Sequence, residues 1–421
     1  MSNWPIVRLE TLATFKNGLN FPGTSWGRGT KIIGVSDFGS RMFPDYETLD
    51  EVDPRGVVRD VDLLAENDIL FVRSNGNREL IGRSLLIRGL HEPVSHSGFT
   101  IRLRFREGAP VSPRFYAYLF KSDLIRKTLS GSGGGTNINN LNQGLLGQLE
   151  VPVPPLDEQE GIAALLACYD DLIANNQRRI ALLESMAEEI YREWFVRMRV
   201  PASDECGNSG QAELTPLDEL GTFLNGYAFD PTELHEEGLP IIKIRELNAG
   251  VCADTPRNTG DKIPEKYNFG DGDIVFSWSG SLVVQIWHQG PALINQHLFK
   301  VTPAEGVSRE FLYFSIKFAI PIFESLTTGA TMQHIKRKEL RFVKVRVPGP
   351  QGMKAFDNLV SPLMEQALRL KQINVRLKSQ RDALLPRLIS GKLRVEALDI
   401  QFPPSMQPQP AEAAPHEATA R

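Results

Sequence analysis

The residues that could support catalysis do not form a catalytic motif in this chain. His91 and His96 lie five positions apart and belong to no HExxH metal site, so we interpret both as surface or core histidines. The tripeptide SGK at 390–392 lacks the glycine and the Ser/Thr of a phosphate-binding loop. The glycine run SGSGGGT at 130–136 precedes polar coil and is interpreted as a flexible loop.

Further enzyme signatures are missing as well. The sequence has no Asn-Pro-Pro-aromatic tetrapeptide of amino-methyltransferases and no convincing Asp…Glu-x-Lys set of many nucleases. Cys168, Cys206 and Cys252 show no paired spacing, so we expect reduced thiols, with neither disulfides nor a metal site. These observations predict a protein that binds and does not catalyse.

The composition is that of a globular protein with room for two or three domains. The chain has 421 residues, of which 41% are hydrophobic and 23% charged. It contains no apolar run long enough to cross a membrane and no signal-peptide pattern at its start, so we expect a cytoplasmic protein. The net charge of −4 argues mildly against a stand-alone nucleic-acid binder, which is usually basic.

The elements that must position any binding residues occur twice. LATFKNGLNFP at 12–22 returns as LGTFLNGYAFDP at 220–231, and VSPRF at 111–115 returns as VSREF at 307–311. Other pairs in the same order are KIIGVSDF (31–38) with PIIKIREL (240–247), NDILFVRSNG (67–76) with GDIVFSWSG (272–280), and TNINNLNQGLLGQLEVPVPP (136–155) with TMQHIKRKELRFVKVRVPGP (331–350). The ordered matches predict a tandem duplication with a unit of about 200 residues.

Each copy combines a mixed segment with a long helix, which predicts an α+β (mixed) fold. Helices are expected at 114–129 and 309–326, with Pro321 kinking or interrupting the second. The expected strands are KIIGV, DILFV, RSLLI, FTIRLRF and LEVPV in the first copy, and PIIKI, DIVFSW, LVVQIW, HLFKVT and VKVRV in the second.

The two long helices carry heptad seams, which are typical of a coiled coil. In 157–199 the predicted seam is Ile162, Leu165, Tyr169, Leu172, Asn176, Arg179, Leu183, Met186 and Ile190. In 354–392 it is Phe356, Val360, Leu363, Ala367, Leu370, Asn374, Leu377, Arg381, Leu384 and Leu388. We expect the polar members Asn176, Arg179, Asn374 and Arg381 to fix the register at some cost in stability.

Opposite charges favour pairing of these helices with each other. Residues 156–200 hold nine acidic and five basic side chains, whereas residues 351–395 hold three acidic and nine basic ones. We therefore expect the two helices to pair with each other in a coiled coil. The alternative is that each helix merely packs on its own domain.

In combination these features resemble the specificity subunit of type I restriction–modification systems. The resemblance rests on the LxxLxxFxNGxxF opening of both copies, the NDI/GDI strand and the Gly–Thr loop. VPVPPLDEQEGIAALL (151–166) resembles the family's entry into its first conserved helix, and RDALLPRLISGKLRV (381–395) resembles the end of its second. The stretch VPGPQGMKAF (347–356) departs from the family because it lacks the Glu-Gln entry.

The resemblance implies two target-recognition domains, at 1–155 and 213–350, that each read half of a bipartite, asymmetric DNA site. It also implies that helices 156–200 and 351–395 form an antiparallel coiled coil that acts as a ruler within a pseudo-two-fold tandem repeat. Composition alone predicts a polar linker at 201–212 and a Pro- and Ala-rich, disordered tail at 396–421. A helix of about 40 residues is roughly 60 Å long.

The implied partners are double-stranded DNA, two modification subunits that methylate adenine with S-adenosylmethionine, and restriction subunits that use ATP and Mg²⁺. No cofactor is expected in this chain, and partner subunits could supply much of the phosphate attraction.

Base reading needs donors and acceptors on loops, chiefly from Arg, Lys, Asn and Gln. The candidates in the first copy are Lys16, Asn17, Arg73, Ser74, Asn75, Asn77, Arg78, Thr136, Asn137 and Asn139. Those in the second copy are Asn225, Ser277, Trp278, Ser279, Ser281, Thr331, Gln333, His334, Lys336, Arg337 and Lys338. The Asn-Gly pairs could instead be only tight turns, and QHIKRK could be a solvated helix start.

Two other functions stay open at this point. The chain could be a coiled-coil scaffold whose domains bind protein, or the specificity subunit of a modification-only adenine methyltransferase that has no nuclease.

Overall fold

A computed structural model describes residues 4–39, 41–74, 80–129, 140–199, 213–326 and 337–395. The predicted linker and tail lie outside these residues. The chain divides into unit 1, Met1–Asp170 with Gln380–Arg421, and unit 2, Asp171–Ser379. The fold is a mixture of helices and sheets, as the sequence predicts.

The strands of unit 1 form a four-stranded antiparallel sheet and two smaller sheets. They are β1 (Ile6–Arg8), β2 (Ala13–Asn17), β3 (Trp26–Ile33), β4 (Asp50–Val52), β5 (Ile69–Val72), β6 (Ser84–Leu86), β7 (Val94–His96), β8 (Thr100–Phe105) and β9 (Glu150–Pro152). The sheet orders are β2-β8-β5-β6, β4-β3-β7 and β1-β9. Strands β3 and β7 are parallel, and the other pairs are antiparallel.

Unit 2 repeats these pairings and has one additional strand at the edge of the sheet that corresponds to β4-β3-β7. Its strands are β10 (Glu213–Pro216), β11 (Gly221–Asn225), β12 (Leu239–Ile242), β13 (Arg257–Asn258), β14 (Asn268–Phe269), β15 (Ile274–Ser277), β16 (Val284–Ile286), β17 (Ala292–Ile294), β18 (Leu298–Pro303) and β19 (Lys344–Val347). The sheet orders are β11-β18-β15-β16, β13-β12-β17-β14 and β10-β19. Every strand expected from the sequence overlaps one of these strands.

The helices are α1 (Leu9–Leu12), α2 (Pro113–Lys121), α3 (Asp123–Leu129), α4 (Gln143–Gly147), α5 (Leu156–Tyr191), α6 (Ile244–Ala249), α7 (Arg309–Leu326) and α8 (Pro350–Ile389). Two expectations about them are wrong. The helix expected at 114–129 is broken at Ser122, whose N–H and hydroxyl both bond to the carbonyl of Leu119. The interruption expected at Pro321 does not occur, because α7 runs through this residue, whereas the kink given as the other possibility stays a prediction.

One inner strand of each large sheet, β5 in unit 1 and β15 in unit 2, is buried on both faces. In β5, Ile69 and Phe71 face one apolar cluster, while Leu70 and Val72 face another. The first cluster also holds the aromatic side chains of α2, and α7 has the same role in unit 2. Fully burying one such side chain stabilises the fold by about 1.5–3 kcal/mol, so packing holds this strand in place.

Helices α5 and α8 contact each other within each unit. In unit 1, Ile162 and Leu166 of α5 share a cluster with Leu388 of α8. In unit 2, Ile180 of α5 packs with Leu370 of α8.

The positions predicted for the α8 seam are buried or half-buried, but the α5 prediction is wrong at alternate positions. The wrong members are Leu172, Arg179 and Met186, which are exposed, whereas the residues that directly follow them, Ile173, Ile180 and Ala187, are buried instead. An apolar residue follows each of the three exposed positions, so the sequence is compatible with either set of residues as the buried seam of α5.

Candidate nucleic-acid interface

Three strand ends of unit 1 meet at one edge of its large sheet. Strands β2 and β5 both pair antiparallel with β8, so their carboxyl ends lie beside the start of β8. The backbone N–H of Arg73, after β5, donates to the carbonyl of Phe99 at 2.8 Å, and the N–H of Gly98 donates to Leu19 at 2.6 Å. We name the segments 17–21, 73–74 and 97–99 the unit 1 edge.

Gly18 lets the backbones at this edge approach closely. A Cβ atom at Gly18 would lie 2.2 Å from the carbonyl oxygen of Ser97. The N–H of Gly18 donates to Thr100, and Leu19 forms an isolated parallel bridge with Ser97. The Asn-Gly pair therefore ends a strand and joins two segments, and it is not the tip of a hairpin.

A cavity of about 770 Å³ opens beside the unit 1 edge. Its aromatic wall contains Phe21, Trp26 and Phe99. Phe21 and Trp26 pack edge-to-face with ring centroids 5.0 Å apart, and Trp26 is 52% exposed. Ser74 and Ser97 also line the cavity, so apolar and hydrogen-bonding groups face the same space.

A buried charge cluster lies behind the unit 1 edge and holds Lys16. The Lys16 Nζ atom is 2.6 Å from Asp62 and donates to the carbonyl of Val61. Hydrogen bonding from Arg59 and Lys16 holds the pKa of Asp62 well below its usual value. Lys16 is thus engaged inside unit 1, and a phosphate would have to compete with Asp62.

His96 is a buried neutral group in this cluster. Its Nδ1 atom is 2.8 Å from the hydroxyl of Thr100, and the residue is 1% exposed. Burial, followed by the nearby charge of Arg102, lowers the pKa of His96 to about 3. The side chain therefore stays uncharged at neutral pH and supports the turn at 97–99.

The structure describes some of the other first-copy candidates and not the rest. Arg73 and Ser74 are half-buried at the unit 1 edge, and Asn17 is exposed there. The structure thus brings together candidates from two separate sequence motifs. Asn75, Asn77, Arg78, Thr136, Asn137 and Asn139 lie outside the described residues.

Unit 2 has a corresponding edge made of segments 225–229, 277–278 and 295–297. A Cβ atom at Gly226 would lie 2.2 Å from the carbonyl oxygen of Asn295. Tyr227 forms the isolated parallel bridge with Asn295, and its ring packs edge-to-face on Phe229 at 4.9 Å. The N–H of Trp278 points to the carbonyl of His297 at 3.5 Å.

Two second-copy candidates are wrongly placed by the sequence reasoning. Ser277 is 0% exposed, and its hydroxyl donates to the carbonyl of Ser279, which is itself 9% exposed. Neither side chain is open to a base, because β15 continues as buried structure up to Ser277. Trp278 is half-buried, with its ring 5.9 Å from that of His297.

The remaining second-copy candidates are surface residues or lie outside the described part of the chain. Asn225, Ser281 and Lys338 are exposed. Thr331, Gln333, His334 and Lys336, together with the side chain of Arg337, are not among the described residues.

Polar links join α5 to α8 in both units. In unit 2, the amide of Asn176 donates to the Asn374 side chain at 2.9 Å, and both residues are buried. In unit 1, Arg381 pairs with Asp170, which also accepts from the hydroxyl of Tyr118 at 2.6 Å. Arg179 has no place in either link because it points to solvent.

Sequence reasoning missed the aromatic and imidazole side chains of the two edges and of the cavity beside the first, namely Trp26, Phe99, Tyr227 and His297. Phe21 and Phe229 were visible as a repeated pair, which is a usable signal. The turns that contain Phe99 and His297 are unlike in sequence, so the repeat did not reveal them.

Neither a metal site nor a membrane span is found where the structure describes the chain. Within the described ranges, His, Cys, Asp and Glu form no cluster that could hold a metal ion. Among the same residues, every helix is too short or too polar to cross a membrane.

Comparisons with known proteins give a consistent result. A family model described as type I restriction modification DNA specificity domain matches residues 1–185 and 211–363. The type I restriction enzyme MjaIX specificity subunit of Methanocaldococcus jannaschii is 25% identical over 331 residues, covering 72% of this chain and 75% of the relative. The EcoKI specificity subunit of Escherichia coli K12 is 23% identical over 375 residues, covering 82% and 78% of the two chains.

A similar fold is known from a crystal structure. The S subunit of a type I restriction–modification system from M. genitalium superposes with a TM-score of 0.56 at 18% identity. The match covers 92% of this chain and 96% of the other.

Proposed function

The chain belongs to the type I restriction–modification DNA specificity family, and we propose that each of its two units reads one half of a split DNA site. The protein supplies the DNA sequence specificity of a type I system. In this proposal, segments 17–21, 73–74 and 97–99 face one half-site, and segments 225–229, 277–278 and 295–297 face the other.

The observation that carries this proposal is that the two edges have the same backbone framework but carry different side chains. Gly18 and Gly226 make the same close backbone approach in the two edges, whereas Phe99 stands where unit 2 has His297. Side chains select bases through groups on the base edges, so different side chains select different sequences. The target should therefore be asymmetric.

The framework also supports an origin by tandem duplication. The pairing orders of the sheets correspond except for the additional strand β14 of unit 2, and Asp68 and Asp273 cap the same turn through the N–H groups of Ala65 and Gly270. We infer that α5 and α8 form an antiparallel coiled coil that fixes the spacing of the half-sites. The Asn176–Asn374 and Asp170–Arg381 links support this inference.

The chain is proposed to have no catalysis of its own. Two modification subunits would methylate adenine, and restriction subunits would cut the DNA. A modification-only system remains the alternative, and a plasmid restriction assay with the neighbouring genes separates these two cases.

The decisive experiment is co-expression with a modification subunit followed by methylome sequencing. A new methylated bipartite motif is expected. An unchanged methylome together with a stable protein partner would instead favour the interaction scaffold.

Arg73→Ala tests which unit reads which half. The change should relax one half-site only and cost about 1–3 kcal/mol of binding if Arg73 contacts bases. Arg106→Ala is the matched control, because Arg106 directly follows the opposite end of β8. Uniform loss of methylation in both half-sites would contradict the assignment of Arg73.

A further inference from the structure

The turn that carries Phe99 is unusually well fixed for a surface turn. The N–H and the hydroxyl of Thr100 both donate to Ser97, at 2.9 and 2.8 Å. The N–H of Ser97 donates to Ile33, and a Cβ atom at Gly98 would lie 1.9 Å from the Asn20 side chain. The backbone on both sides of Phe99 is thereby locked.

This locked turn presents an apolar ring to solvent. Phe99 is 61% exposed, whereas its neighbours Gly98 and Thr100 are buried. Single exposed apolar residues are common and need no explanation. Here, however, Trp26 is also exposed across the same cavity, and Arg73 is bonded to the backbone of Phe99. An apolar contact is thus displayed within the proposed reading edge.

The major groove of DNA offers one apolar group on its base edges, the C5-methyl group of thymine. Building on the proposed function of unit 1, we propose that Phe99 contacts the methyl group of a thymine in its half-site. Phe99 is then a specificity-determining residue for one A·T pair. The hydrogen-bonding candidates Arg73 and Ser74 would read the adjacent pairs.

The partial cover of Phe99 favours contact over insertion between bases. Insertion requires both ring faces to enter the stack. Phe99 is 61% exposed, so the rest of the residue is covered by the protein itself. A methyl contact requires only the free side.

Unit 2 differs at the corresponding position. His297 lies in a turn with the same backbone hydrogen bonds, in which the N–H of Leu298 donates to the carbonyl of Asn295 and the N–H of Gln296 donates to that of Tyr227. An imidazole carries a donor and an acceptor and can read a base by hydrogen bonding. The matching pair of the second half-site should therefore be insensitive to a thymine methyl group.

The test uses the complex of this chain with its modification subunit and duplexes that contain the methylated motif. Each thymine is replaced in turn by deoxyuridine, which removes only the methyl group. One replacement in the unit 1 half-site should weaken binding about three- to fivefold, the value for one buried methyl group. The Phe99→Ala complex should bind both duplexes with equal affinity, and Phe99→Leu should keep part of the preference.

His297→Ala is the control and should leave the response to every deoxyuridine unchanged. The proposal is overturned if the unit 1 half-site contains only G·C pairs. It is equally overturned if every deoxyuridine replacement has the same effect on the wild-type complex and on the Phe99→Ala complex.

Two further readouts separate the possible causes of failure. Retained selection of the other base pairs of the unit 1 half-site shows that unit 1 of the Phe99→Ala chain is folded, so a changed deoxyuridine response then belongs to the lost ring. A wild-type complex that selects no bipartite motif would overturn the proposed function itself, and this inference with it.

Discussion

The unit 1 edge and the corresponding edge of unit 2 have the same backbone arrangement and differ in their side chains. Lys16 of unit 1 corresponds to Leu224 of unit 2, and the buried His96 corresponds to Ile294. In unit 1 Lys16 pairs with Asp62, whereas in unit 2 the ring of Tyr227 packs on that of Tyr267. Glycine placement and backbone bonding thus maintain each edge, so the side chains are free to diverge.

The strongest test of this shared backbone is Gly226→Ala or Gly18→Ala. Each change sets a Cβ atom 2.2 Å from a carbonyl oxygen that is fixed in the sheet framework. We expect a loss of about 3 kcal/mol in the altered unit and loss of recognition of its half-site only. Thermal unfolding and methylome sequencing measure the two effects.

Gly270→Ala is the matched control for this test, since a Cβ atom there meets nothing within 4 Å. If Gly226→Ala were as stable as Gly270→Ala, the shared close approach would not be needed.

The next test compares the links between α5 and α8 in the two units. Asn374→Ala leaves the buried amide of Asn176 without its partner and should cost about 2 kcal/mol, with little dependence on salt. Arg381→Ala breaks an ion pair with Asp170, so its cost should shrink as salt is raised. Urea unfolding at low and high salt distinguishes them, and equal salt dependence would contradict the comparison.

The pH response should separate the units as well. His96 has a pKa of about 3 in the folded chain against an ordinary value of 6.5, so the folded state excludes its proton. The neutral imidazole makes its full contribution to the free energy of unfolding above pH 6.5, and this contribution is lost as the pH falls toward 3. At about pH 5 the free energy of unfolding should be about 2 kcal/mol lower than at neutral pH because of this group.

Hydrogen exchange of β8 and β18 amides at about pH 7 and about pH 5, corrected for intrinsic rates, measures this loss. His96→Ile, which copies unit 2, should remove the extra pH dependence of β8. An unchanged pH dependence in that variant would show that other groups are responsible.

The smallest expected effect is that of Lys16→Leu, which also copies unit 2. Asp62 keeps Arg59 as a partner, so the cost should be about 1 kcal/mol. If Lys16 acts only inside unit 1, the salt dependence of DNA binding stays as in the wild type. If the slope of log K against log[salt] is instead lowered by about 1, Lys16 contacts a phosphate of the DNA.

The sequence predicted the strands well because their apolar runs are needed on both faces of the large sheets. The predicted seam of α5 was wrong where either of two neighbouring residues could be the buried one, as at Arg179 and Ile180. A heptad repeat and the 3.6-residue turn of a helix drift apart along the chain, so spacing alone does not choose between them. Ser277 was misassigned because a serine that ends a buried strand has the composition of a loop serine. Phe99 and Trp26 were missed because the fold, and not the local sequence, brings them beside Arg73.

Unit 1 is built from both ends of the chain, and its core is completed by Leu388 and Ile389. A ribosome adds about 5–20 residues per second, so roughly 10–40 seconds of synthesis separate Asp170 from Gln380. The nascent unit 1 therefore lacks Leu388 and Ile389, two side chains of its core, until unit 2 has emerged in full. A prematurely terminated chain never gains them, so its unit 1 should be less stable than that of the full chain and easier for proteases to remove.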